Sequence, residues 1–341
     1  MSASLTRFIA WLVPSFGVLF IIHNYFIFWQ GWPGTLPLIH SFGGNEASLA
    51  DAKTALAWAQ FLSWIVVALA VAAYAAKSKA NPLQVDADRL SAIAAFIIRG
   101  CFWGIVLIGI FDIVISFLRV EELLEVVLGE RVGKELGRPI FRGTYVHYPL
   151  LIFGFVIGSF SRRPSFIWLT LLVVLAEFSI VISRFVFSYE QAFQGDLVRF
   201  WYAGLFLFAS AYALVTEGHV RVDVLYTNFS ARGKALSNTC GIFLLGLPLC
   251  WVILTTGMWG KGSSLNSPLM SFEIYQQGFG MYVKYLMVGF LVIFAVSMLF
   301  QFCSYLLSNV AVLRGEASSG DEPQDSASAA ATATASAGSS Q

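Results

Sequence analysis

Apolar runs of membrane-spanning length, placed one after another, leave this chain little choice of architecture. Eight runs qualify or nearly do: Phe8–Phe28, Ala55–Ala76, Ala92–Phe117, Thr144–Phe160, Ser165–Phe187, Phe200–Val215, Leu236–Met258 and Met281–Asn309. About 20 apolar residues in a helix cover the hydrocarbon core of a bilayer. Backbone facing lipid must bond to itself, and no ten-residue alternating strands are present, so each run is predicted to be a helix. The fourth and sixth runs are the shortest and their ends the least defined. With 57% hydrophobic and only 12% charged residues, the 341-residue chain has about half the charge of a soluble domain. The predicted fold is therefore an all-α polytopic membrane protein. A net charge of +1 excludes a nucleic-acid binder.

Arg7 precedes the first run as it would in a signal peptide. The run is longer than such a segment, however, and no small-residue cleavage site follows closely, so it reads as a retained span. Orientation follows Lys and Arg in the short loops. With the N-terminus in the cytoplasm, the inner segments hold ten basic residues against four outside, leaving aside the mixed-charge segment Arg119–Gly143. That segment brings the outside to nine, so the bias for two cytoplasmic termini is modest. Within it, Glu121, Leu123, Leu124, Val126, Val127 and Leu128 fit a short amphipathic helix ending at Gly129. The tail from Gly315 lacks Lys, Arg and large apolar residues and is predicted to be disordered in the cytoplasm.

The four Cys all lie in or beside apolar runs and form no CxxC pair, so neither a disulfide framework nor a zinc site is expected. No phosphate loop, nucleophile elbow, HExxH or dinucleotide fingerprint occurs, and no enzyme activity or cofactor is expected. Arg99, Asp112, Glu177 and Arg184 fall within or near the ends of spans. Four scattered charges make no proton relay, and pairing with a partner subunit or an interfacial position is the expectation for them. His23 and His147 lie near the same predicted end of two spans. A haem-binding respiratory anchor is thus one alternative to be tested. A stand-alone secondary transporter is another, although Pro14 and Pro248 do not interrupt corresponding helices.

After the sixth run the chain turns abruptly polar in "TEGHVRVDVLY" (Thr216–Tyr226) and then regains Val, Leu and Phe among Arg232 and Lys234. This pattern suits a short amphipathic helix lying along the inner interface, with an ordinary loop as the alternative. From "RFVF" (Arg184–Phe187) through "GDLVRFWYAGLFLFASAYALVTEGHVRVDVLY" (Gly195–Tyr226), the sequence resembles the DctQ-type small membrane subunit of tripartite ATP-independent periplasmic (TRAP) transporters. The matching elements are Arg184, Asp196, Arg199 with Phe200, and then Gly218, His219, Val220, Val222 and Asp223, with Glu217 and Arg221 in the same stretch as further candidates. "QAFQGD" replaces the family's usual Trp and double Glu in the outer loop.

The resemblance implies a four-helix DctQ-like membrane domain over residues 161–314, preceded by a four-helix extension over 1–160 and followed by the tail at 315–341. It further implies a bacterial inner-membrane scaffold that binds no substrate itself. Its partners would be a large sodium-coupled, elevator-type permease for organic acids, a periplasmic solute-binding protein, and lipid. The motif residues become candidates for subunit contact. "FDIVISFLRVEE" (Phe111–Glu122) also echoes "FSIVISRFVFSYE" (Phe178–Glu190), as a partial duplication would.

Overall fold

The computed structural model describes residues 2–38, 51–161, 166–215, 226–274 and 279–316. Eight long helices run through them: α1 (Ala3–Phe28), α2 (Asp51–Lys77), α3 (Leu83–Val120), α6 (Pro139–Phe160), α7 (Phe166–Val186), α8 (Ala192–Val215), α9 (Ala231–Met258) and α11 (Lys284–Arg314). Three short ones lie between them: α4 (Leu124–Leu128), α5 (Glu130–Leu136) and α10 (Asn266–Ser271). Seven of the long helices are long and apolar enough to cross a membrane. The eighth, α8, has 24 residues, which at about 1.5 Å each also exceeds the core thickness. The protein is an all-helical, multi-pass membrane protein. Of the segment from Thr216 to Lys234, expected to be an amphipathic interfacial helix or a loop, residues 216–225 lie outside the described residues, as does the tail beyond 316; Tyr226–Asn228 form a short turn, and Arg232 and Lys234 already belong to α9.

Most helices overrun the apolar stretches that predict them. The third run, expected at Ala92–Phe117, is part of a 38-residue helix. Leu83 and Leu90 are fully buried in its first turns, so packing continues the helix where hydropathy fades. In the α4–α5 hairpin Leu124 and Leu136 are buried, and Gly129 turns the chain with φ +83°.

α3 and α11 form the centre. Half of each apolar window is buried, against 11% for α2 and α7 at the periphery. α3 packs on α6, α8 and α11, and α11 also contacts α1, α8 and α9. Leu83, Leu90, Ile105, Leu299, Cys303 and Leu307 belong to the resulting core. Polar ties lock the pair: Ser304 Oγ donates to the Ala87 carbonyl (2.7 Å), and Ser91 Oγ donates to Gln301 Oε1 (3.2 Å). The helices expected to form an N-terminal extension therefore share one core with those that follow.

The tightest crossing is made by glycine. On α3, Gly100 and Gly104 face Gly154 and Gly158 of α6. A Cβ on Gly154 would lie 2.6 Å from the Gly104 Cα and 2.8 Å from the Gly100 carbonyl oxygen. Between apolar helices in lipid, such backbone approach supplies the dispersion contacts that burial from water supplies in a soluble protein. Wide π-turns occur in α6 (Gly143–His147) and α9 (Ile242–Gly246), each just before a proline, Pro149 or Pro248. A proline cannot donate to the preceding turn and its ring crowds it, and the wider turn absorbs both effects without breaking the helix.

Candidate functional site

Buried charge concentrates where α3 ends, on the side predicted to face outward. Asp112 of α3 is wholly buried, as are Ser116, Arg142 and His147. Asp112 Oδ1 accepts from Arg142 Nη1 (3.0 Å) and lies 3.0 Å from His147 Nε2. Its Oδ2 accepts the Tyr282 backbone N–H (3.0 Å). His147 Nδ1 lies 2.9 Å from the Tyr285 hydroxyl, so both ring nitrogens are engaged and neither is left to ligate a haem iron. Arg142 also donates to Ser116 Oγ (3.1 Å) and the Leu136 carbonyl (3.0 Å). The π-turn and the helical turn before it bring Arg142 and His147 to the same carboxylate.

Tyr282 completes the cluster. The guanidinium groups of Arg119 and Arg142 stand over its ring at 4.4 and 4.1 Å. Its hydroxyl bonds to Arg119 and donates to the Gly137 carbonyl (3.0 Å). Arg119 also donates to the Gly280 carbonyl (2.7 Å). Gly143 leaves room for the Phe272 ring and the Tyr285 hydroxyl, the latter 2.9 Å from where a Cβ would stand. A lone charge at the bilayer centre costs about 2.5–3.5 kcal/mol. Here Asp112 and Arg142 meet as counterparts inside the protein, and removing one of them would strand the other at a cost of about 3–5 kcal/mol. Asp112, expected to pair with a partner subunit or to lie at the interface, pairs within its own chain instead.

Of the motif residues, Asp196 is buried and accepts the Met281 N–H at Oδ2 (3.1 Å) and Arg199 Nη1 at Oδ1 (3.3 Å). Asp112 and Asp196 thus hold the N–H groups of consecutive residues, Met281 and Tyr282, where the chain enters α11. Arg199 is 65% exposed on its side chain. Arg184 is exposed and faces Glu190 at 3.5 Å. The structure brings Asp196 and Arg199 together and leaves Arg184 apart from them. Glu217, Gly218, His219, Arg221 and Asp223 lie outside the described residues. Nearby, the Tyr189 hydroxyl donates to Glu121 Oε1 (2.5 Å), joining the ends of the two stretches that resemble each other. Burial first, and then the carboxylate, push this phenol up to about 12.

At the opposite end, buried Arg7 of α1 pairs with buried Asp86 of α3 and donates to the Asn81 carbonyl (2.7 Å). Tyr74 of α2 bonds Asp86 and accepts from Arg89 (2.7 Å). Asn266 of α10 is buried and donates to Asn24 of α1 (2.7 Å) and the Met258 carbonyl (2.8 Å). His23 Nε2 lies 2.8 Å from Ser63 Oγ. Arg99 donates to the Gly158 carbonyl (3.3 Å). Among the described residues, no group of three or more His, Cys, Asp or Glu is arranged to hold a metal. A cavity of about 150 Å³ beneath Tyr285 is walled by apolar groups including Ile105, Phe200 and Phe290.

The helices α7 to α11 that frame these contacts match a known family: the DctQ component of tripartite ATP-independent periplasmic transporters, over residues 170–311. This part of the chain is a DctQ domain. No curated protein and no solved structure matches the chain. In the DctQ domain Asp196 braces the entry to α11. Asp112, Arg142 and His147, all N-terminal to the matched residues, brace the same entry from the other side. Sequence reading missed that convergence. The one signal available was a cation and a His five residues apart, Arg142 and His147, at the start of an apolar run.

Proposed function

We propose that the chain is the scaffold subunit of a sodium-coupled TRAP transporter for organic-acid uptake in a bacterial inner membrane. It braces the large permease subunit and binds no substrate itself. The DctQ match over residues 170–311 carries this reading. Two features of the fold support a static role. The buried ions of the outer cluster are paired within the protein, as suits an element that stays fixed while a neighbour moves. The cavity beneath Tyr285 is apolar and offers an organic acid nothing to bind its carboxylate. A periplasmic solute-binding protein is the expected third component, approaching from the side of the α4–α5 hairpin. The modest excess of basic residues in the inner loops favours both termini in the cytoplasm.

The test is purification of the full chain from native membranes in mild detergent, followed by reconstitution. A large permease should accompany it, and proteoliposomes containing this chain alone should show no sodium-driven uptake. Uptake by the chain alone would overturn the scaffold role.

A further inference from the structure

α7 is the least buried part of the DctQ domain. It packs chiefly on α8 and, among the described residues, buries only Leu169 and Ala176 along its length. Val174, Phe178, Val181 and Phe185 form an outward stripe at helical spacing, between 48% and 78% exposed. Glu177 is exposed on the flank of that stripe. It sits half-way along the helix, roughly 15 Å from either end, and so at mid-membrane depth. Among the described residues no hydrogen bond or ion pair reaches it. Arg184, two turns onward, faces Glu190 at 3.5 Å. Asp112, a carboxylate near the end of another span, shows how this fold treats such a group: it is buried, with partners on both oxygens.

We propose that the α7 face around Glu177 is the surface that receives the large permease, through a membrane helix carrying a cationic side chain at mid-depth. A carboxylate only accepts hydrogen bonds, so the occupant must donate, and in hydrocarbon a charged donor is the one that offsets desolvation. A stripe of Val and Phe on either side of one acid gives the contact both area and a fixed depth. The inference rests on the scaffold reading and deepens it by naming the face and the anchoring residue.

The experiment places a photoreactive benzoylphenylalanine at Val174 or Val181 in the full chain, in native membranes, with Ile152 of α6 as an equally exposed control site. Irradiation should join the α7 positions, but not Ile152, to a membrane helix of the large permease. Glu177→Leu should lower recovery of the complex roughly tenfold, with Glu177→Gln in between. If the permease co-purifies yet α7 yields no adduct with it, or joins a second copy of this chain or lipid alone, the proposal is wrong and the scaffold reading survives. If no permease co-purifies at all, both are wrong.

Discussion

Replacing Gly154 by Ala tests whether backbone approach holds α3 to α6. The added Cβ would stand 2.6 Å from the Gly104 Cα and 2.8 Å from the Gly100 carbonyl oxygen. Carbon atoms in ordinary contact sit about 3.5–4.0 Å apart, so the helices must separate by about 1 Å. Neither obstacle is a side chain able to swing aside. A gap of that size forfeits a quarter to a half of each dispersion contact along the seam. Overpacking of this kind costs about 1–3 kcal/mol. Gly241 of α9 is the control, because a Cβ there meets nothing within 4 Å. Ala should gain up to about 1 kcal/mol at that site from helix propensity. The two variants should therefore differ by about 1–4 kcal/mol, with Gly154→Ala the weaker. In detergent, thermal unfolding followed by size-exclusion recovery should separate their midpoints by roughly 2–5 °C. Equal midpoints would refute the close-packed seam.

Asp112→Ala strands buried Arg142 and should cost about 3–5 kcal/mol in the same assay, whereas the double variant Asp112→Leu with Arg142→Met should recover much of the loss. A double variant no better than the single one would count against the pairing. Asp196→Ala leaves the Met281 N–H without its acceptor and should cost about 1–3 kcal/mol, while Asp196→Asn, which keeps an acceptor oxygen, should cost less. Equal losses would show that the carboxylate does not hold that amide.

The number and order of the spans were legible because hydropathy adds up locally and every span advertises itself. Helix ends were not, since α3 begins at Leu83, nine residues before its apolar run, held there by burial against its neighbours. The glycine pair Gly100 and Gly104 stands four apart in the sequence, as do Gly154 and Gly158, yet nothing local says that one pair meets the other. Asp112 shows the same limit more sharply. It was visible as a costly charge in a span, but its partners Arg142, His147 and Tyr282 lie far along the chain, and only the fold brings them to it. Asp196 was found through its motif, and the structure supplies the physical reason: it grips the Met281 amide.

Because α3 lies between α6, α8 and α11, the first half of this polypeptide is not a detachable accessory. Cutting the gene ahead of the DctQ domain would strip α11 of two of its flanks, leaving Ser304, Tyr282 and Tyr285 against lipid or a stranger's helices. Any engineer wishing to shrink this subunit, or graft its second half onto another host, inherits an unhealed wound the length of the bilayer.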